Sequence, residues 1–246
     1  MNLKNGMRVD KMLKEGEIYF NCNSSLDLNL KLEKYPSVPS SNEEYEEIKV
    51  DGRNGSLYIN KGTYPNKTLS FLFSEISNRI HVDLELLMVW LTEIEDNRLF
   101  YGRDDRVFIV KKIIKGDFEQ EFRNLGNIKI DFICEPFMSD KYPFEYEITT
   151  NNFKFNYGGT APTEPLIRIY GTGNIQLIIN DETMQIKNVN NYVEIDSGLL
   201  QVRDSNGQSK DFDSIGDFTI FTKGDYVISY SGKVSKVEVE YTTKYL

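Results

Sequence analysis

The sequence predicts a mainly β chain of two unlike halves, the first carrying one α-helix and a projecting β-hairpin, the second an all-β sandwich. Three observations carry this. Fifteen Tyr and fifteen Phe stand against one Trp and seven Pro, and aromatic rings fit pleated, half-buried surfaces. Period-two alternation recurs between short turns rich in Gly, Asn and Asp. Only one segment follows helical spacing. The length of 246 residues fits one to two domains and suffices for two modest cores.

In the first half, residues 1–14 show no period. Leu26, Leu28, Leu30 and Leu32 are spaced by two with polar residues between, the pattern of a half-buried strand within 17–33. Residues 35–47 (YPSVPSSNEEYEE) read as a loop or exposed arm. In IKVDGRNGSLYI, residues 48–59, the pairs Asp51-Gly52 and Asn54-Gly55 tolerate positive φ, so a hairpin is expected. Leu69 to Phe73 reads as a buried strand. Leu84, Leu87, Met88, Leu91 and Ile94 follow i, i+3, i+4, i+7 spacing, with Val89 and Trp90 widening the apolar face and Asp83 as N-cap. This predicts a helix over about 83–93. Residues 98–101 and 106–114 read as strands around a turn from Gly102 to Asp105. Gly116-Asp117 is a further turn, followed by strands at 118–123 and 127–134. Glu135-Pro136 is expected to end the last of these, because Pro lacks a donor and restricts its predecessor. A domain boundary is expected within 136–142.

The second half predicts strands at 143–148, 151–156, 165–170, 174–179, 183–187, 191–195, 199–203, 218–221, 225–230 and 233–241. Turns are expected at Gly158-Gly159, Gly171-Thr172-Gly173, Asn180-Asp181, Ser205-Asn206-Gly207, Lys223-Gly224 and Ser231-Gly232. Many short strands at this spacing are the pattern of a sandwich.

Composition argues against several function classes. The net charge is −9, and Lys111-Lys112 is the densest basic pair, whereas a nucleic-acid grip needs a basic stripe. Cys22 and Cys134 are isolated in sequence, which reads as free thiols of a reducing cytoplasm, with a single disulfide as the other option. No apolar signal-peptide core is visible in residues 1–14, and the longest apolar stretch, Leu86 to Leu91, is too short to cross a bilayer. One His, His81, and no Cys cluster speak against zinc sites. No nucleophile elbow is present. GTGN at 171–174 lies between strands and reads as a hairpin turn, not a phosphate loop. The carboxylates of 102–105 (GRDD) and 180–182 (NDE) lack calcium-loop spacing and read as solvated turns. No feature singles out a carboxylate pair for glycoside hydrolysis. For sugar stacking, the second half offers no Trp, leaving Tyr157, Tyr192 and Tyr230. The expectation is a non-enzymatic protein without metal or cofactor.

Taken in order, these segments resemble the siphophage distal tail (Dit) family over nearly the whole chain, from about Tyr19 to Tyr245. FNCNSSLDLNL (20–30) is similar to the family's opening strand, with Cys22 and Asn29 where the family has Gly. VDGRNGSLYI (50–59) resembles its hairpin, with Asp51 in place of Pro and Asn54 in place of Asp. The Trp90-Leu91 helix followed by RLFYGRDDRVFIVK (98–111), and IDFICEPF (130–137), resemble later parts of its first domain. PLIRIYGTGNIQLIIND (165–181), YVEIDS (192–197) and residues 216–245 follow the family order, with Tyr230 where the family has Trp.

The resemblance implies two β-sandwich-type domains. Residues 1–137 would form a ring domain, with the helix and a hairpin at about 48–60. Residues 138–246 would form a galectin-like sandwich. It implies a structural virion protein of a phage or prophage, made in the bacterial cytoplasm and located at the tail tip. There a homohexameric ring would join the tail tube protein to the tip or hub protein and to receptor-binding proteins, while DNA passes without specific binding and no membrane is engaged. The hairpin, with Asp51, Gly52, Arg53, Asn54, Gly55, Leu57 and Tyr58, would be the subunit interface. The alternative reading is a carbohydrate-binding or adhesion module of a tail or cell-surface assembly.

Overall fold

The structure, a computed structural model, describes residues 13–76, 80–115 and 127–246, leaving aside the side chains of Glu75 and of Ile80 to Asp83. The strand expected at 118–123 and the turn at Gly116-Asp117 lie outside these residues, as do residues 1–12. The chain is mainly β and divides into two compact units, the first ending at Lys141 and the second spanning Tyr142–Tyr245.

The first unit holds β1 (Tyr19–Phe20), β2 (Asn23–Ser24), β3 (Leu30–Leu32), β4 (Tyr45–Lys49), β5 (Ser56–Asn60), β6 (Lys67–Glu75), helix α1 (Ile80–Thr92), β7 (Arg98–Phe100), β8 (Arg106–Lys115) and β9 (Asn127–Asp140). An antiparallel sheet runs in the order β2-β1-β7-β8-β9-β6-β3. Its core is aromatic and aliphatic: Phe20, Phe71, Phe73, Phe108 and Phe132 are fully buried with Leu30, Leu69 and Ile130. Alternation along 127–134 places Ile128, Ile130, Phe132 and Cys134 on one buried face, as period two requires.

Four expectations for this half are corrected. The leucine run does not form one strand: Leu26–Leu28 is a 3-10 turn closed by Asn29 at φ 59°, and only Leu30–Leu32 joins the sheet. Leu28 still packs against the core, so the alternation marks burial, not strand. The helix runs Ile80–Thr92, which puts Asp83 inside the helix, not at its N-cap. The helix buries Leu87, Trp90 and Leu91, while Met88, Val89 and Ile94 are exposed, because the core lies along one side of the helix only. Finally, β9 continues through Pro136 to Asp140. Pro136 falls where the register of β8 against β9 shifts, between the pairs Val110↔Cys134 and Phe108↔Met138. The pairing of β9 with β6 has already ended at Cys134. A bulge beyond the neighbouring strand is a position where a missing N–H costs no ladder bond.

The second unit holds β10 (Phe144–Ile148), β11 (Phe153–Tyr157), β12 (Leu166–Ile179), β13 (Glu182–Val189), β14 (Tyr192–Asp196), β15 (Gln201–Asp204), β16 (Ser214–Ile215) and β17 (Gly224–Tyr241). The long strands β12 and β17 bend together and are shared by two layers. Residues 166–170 of β12 pair with 236–240 of β17 and with β14, which pairs on to β15, while β10 lies along 237–241. Residues 176–179 pair with 228–231 and with β13, and β11 lies along 224–228. Ile167, Ile169, Val237 and Val239 from one layer, with Leu177, Ile179, Ile186 and Ile228 from the other, belong to one core.

The turns expected at Gly171–Gly173 and Ser231-Gly232 are therefore absent. Both sit inside continuous strands at a double register shift of β12 against β17. The glycines serve close approach: a Cβ on Gly171 would lie 2.3 Å from the Lys233 carbonyl oxygen. That is shorter than any real carbon–oxygen contact, so only Gly fits the bend. Residues 218–221 do not form a strand; Phe221 makes a single bridge to Thr163 and is fully buried.

Candidate assembly interface

Strands β4 and β5 pair with each other and join neither larger sheet. The register Tyr45↔Asn60, Glu46↔Ile59, Glu47↔Tyr58, Ile48↔Leu57, Lys49↔Ser56 gives the ribbon two different faces, because side chains alternate. One carries Tyr45, Glu47, Lys49, Ser56, Tyr58 and Asn60. The other carries Ile48, Leu57 and Ile59, with Glu46 at its edge. Ile59 is 52 % exposed and Leu57 38 %, with Ile48 partly buried, so this aliphatic face is left partly open among the described residues. A two-stranded ribbon is marginal by itself in water.

The root of the ribbon is fastened. Pairing continues past the strands through Lys61 N–H to Glu44 O (2.9 Å) and Glu44 N–H to Thr63 O (2.8 Å). The Glu43 carboxylate accepts from the hydroxyls of Tyr45 (2.9 Å) and Tyr64 (3.1 Å) and from the Asn60 amide. The Tyr45 and Tyr64 bonds hold its carboxyl below the usual range. Tyr64 meets Phe137 edge to face at 4.9 Å, and Ser41 donates to the Pro136 carbonyl at 2.6 Å. The bulged end of β9 is thus where the ribbon is anchored to the first unit.

Asp51, Gly52, Arg53, Asn54 and Gly55 form the exposed tip, closed by Arg53 N–H to Val50 O at 3.2 Å. Leu57 lies on the aliphatic face and Tyr58, 66 % exposed, on the opposite one. The structure thus separates these two residues and adds Ile48 and Ile59 to Leu57. Sequence reading missed both isoleucines, because their grouping depends on a register across the turn and not on spacing within either strand.

A second local arrangement fixes the helix. The β1–β2 turn places Asn21 (φ 45°) and Cys22 (φ 62°) both in the left-handed region, the backbone of a type I′ turn. Asn21 is buried, and its amide donates to the carbonyls of Trp90 (2.9 Å) and Glu93 (2.8 Å). Its oxygen accepts from the N–H groups of Glu95 (2.8 Å) and Asp96 (3.3 Å). The Trp90 indole N–H donates to Phe20 O at 2.7 Å. Among the last carbonyls of α1, which lack helical partners, that of Trp90 is thereby satisfied, as is that of Glu93 just beyond the helix.

Of the tyrosines considered for sugar stacking, Tyr157 is unavailable to solvent. It is fully buried, donating to Ala161 O at 2.7 Å and accepting from Lys244 N–H at 3.0 Å. Tyr192 packs on Tyr170 at 5.4 Å, and Tyr230 packs against the core. Among the described residues, no group of three or more His, Cys, Asp and Glu could hold a metal ion. His81 lies within α1, with its side chain outside the described set.

No protein-family model and no curated protein matches the sequence. Among solved structures, the chain is similar to the Dit protein (gp 19.1) of SPP1, described there as a paradigm of the hub adsorption apparatus in phages infecting Gram-positive bacteria. The match covers 94 % of this chain and 99 % of that one, with a TM-score of 0.65 and 14 % identity. Across both units, the chain has the fold of a phage distal tail protein.

Proposed function

We propose that this chain is a structural component of a phage tail, in which six copies form a ring between the tail tube and the tip or hub. The supporting observation is a fold shared over nearly the full length of both chains with a hub adsorption protein. Fold alone does not specify function. The free ribbon adds an independent reason: a marginal two-stranded element with an aliphatic face needs a neighbour to cover it. A ribbon on one protomer that meets a different surface on the next makes a head-to-tail contact, and such contacts form a ring when the rotation between copies closes. Residues 1–137 form the ring, and Asp51 to Gly55, Leu57 and Tyr58 take part in the subunit contact. The 138–246 sandwich carries attachment proteins. The ring joins tail tube and hub proteins, DNA passes through it unbound, and the protein resides at the virion tail tip.

Two measurements test this reading. Native mass spectrometry and negative-stain microscopy of the purified chain should give a six-fold ring. Antibody-gold labelling of particles induced from the source strain should mark the tail end. Labelling elsewhere on the particle, or on the cell envelope, would contradict the reading.

A further inference from the structure

The described residues hold two Asn-Gly steps, Asn54-Gly55 at the tip of the ribbon and Asn206-Gly207 after β15; a third, Asn5-Gly6, lies outside them. Such a step is chemically labile. The Gly nitrogen can attack the Asn side-chain carbonyl carbon, because a following residue without Cβ leaves that approach open. Both steps are exposed. Both glycines have positive φ, 82° and 79°, and a Cβ on either would meet nothing within 4 Å. Residue type, exposure and space are therefore matched, but the hydrogen bonding differs. Gly207 N–H donates to Asp204 O at 2.9 Å. The Asp204 carboxylate accepts from Asn206 N–H and from Gln208 N–H, each at 2.9 Å. The backbone of Asn206 is thus held on both sides. At the ribbon tip, pairing ends at Lys49↔Ser56. Among the described residues, no hydrogen bond reaches the Gly55 N–H or the Asn54 side chain. For the attack, the Gly nitrogen must lose its proton and the Asn backbone must turn to bring that nitrogen over the carbonyl carbon. Asn54 can do both without breaking a hydrogen bond, whereas Asn206 cannot.

We propose that Asn54 is a site of spontaneous deamidation in the unassembled chain, and that the hydrogen bonds to Asp204 protect Asn206. The Gly55 nitrogen gives its proton to hydroxide and forms a bond to the Asn54 Cγ. The Cγ–Nδ2 bond then breaks, ammonia leaves with a proton taken back from water, and a cyclic imide remains. Water opens the imide at either carbonyl. One opening gives aspartate at position 54, the other isoaspartate, whose main chain runs through the β-carbon. Either product sets a new carboxylate at the tip near Asp51. Isoaspartate also lengthens the loop between Lys49 and Ser56 by one backbone atom. A subunit contact at the tip would hold the loop and slow the attack, so the reaction belongs to the unassembled chain.

The test follows monomer isolated by size exclusion and incubated at mildly alkaline pH. Samples are digested with pepsin in acid, where the reaction is slow, and mapped by mass spectrometry with the aspartate and isoaspartate forms resolved by chromatography. Asn54 should convert at least about tenfold faster than Asn206, because one net hydrogen bond given up on the way to the transition state is enough for about that factor in rate. In concentrated urea the two steps should convert at similar rates, since the residue pair is the same and the folded hydrogen bonds are gone. A native ratio below about tenfold, or a ratio that persists in urea, would overturn the assignment, as would an Asn54 that stays intact.

Discussion

Replacing Asn21 by Ala should unfold the first unit far more easily than its place in a two-residue turn suggests. The side chain makes four hydrogen bonds, two to helix-end carbonyls and two from the N–H groups of Glu95 and Asp96. A net bond contributes about 0.5–1.5 kcal/mol, and a buried group left unpaired costs more. The Trp90 and Glu93 bonds are the shortest routes for their carbonyls, and Trp90 is almost wholly buried. The Glu95 and Asp96 donors are less enclosed, and water can take part of their share. The sum is about 2–4 kcal/mol, and Ala recovers none of it from the backbone, since it keeps the same positive φ and tolerates it less well than Asn. Trp90 is the one tryptophan in the chain and touches this site directly, so its fluorescence reports the first unit alone. Urea unfolding followed at Trp90 should show a midpoint lowered by 1 M or more, taking a slope of about 2 kcal/mol/M. Asn21→Asp should cost at least as much, because it sets a carboxylate against two carbonyls at the negative end of the helix. A loss below about 1 kcal/mol for Asn21→Ala would refute the capping role.

Three further outcomes follow from the same geometry. Cys22→Gly should raise stability by about 1 kcal/mol in the Trp90 assay, since a side chain at φ 62° carries a left-handed penalty that Gly does not. Gly171→Ala should destabilise the second unit by several kcal/mol, because its Cβ would overlap the Lys233 carbonyl oxygen; calorimetry should show the loss in the transition that Trp90 does not report. A thiol reagent at pH 8 should modify Cys22 in the native protein and reach Cys134 only in denaturant. Burial pushes the Cys134 thiol up to about 12 and that of Cys22 upward less far. Since the thiolate is the reactive form, Cys22 labelling should keep accelerating as pH rises past its ordinary range.

The β character was legible because period two is a local property: 127–134 reads as a strand from sequence and is one. What lies beyond one neighbour was not. Gly171 and Gly232 look like turns because Gly fits both a turn and a close crossing, and only the pairing of β12 with β17 tells them apart. Pro136 looks like a stop because its missing donor matters in a ladder, but β9 has left β6 by that point. The helix was found by its period, yet Met88 and Val89 look like core until the sheet's position along one side is known. At the candidate interface, the tip from Asp51 to Gly55 was readable from turn chemistry. Ile48 and Ile59 were not, because they join Leu57 only through the register of the ribbon.

At 14 % identity with a shared fold, little of the side-chain detail can be common, so the fold must rest on contacts that many sequences can supply. The first unit shows one such set. Phe20 and Asn21 are neighbours that stand far from Trp90 in sequence, yet the three form one connection: Asn21 closes the helix end, and Trp90 bonds the backbone of Phe20. Cys22 and Asn29, the two positions where the resembled motif has Gly, both have positive φ, 62° and 59°. Asn tolerates that region through its short polar side chain, whereas Cys has no such advantage, and the turn is kept in place by its neighbour Asn21. The resemblance therefore tracks backbone conformation more than side-chain chemistry. If so, placing Gly at position 22 should stabilise, and placing it at position 29 should change little.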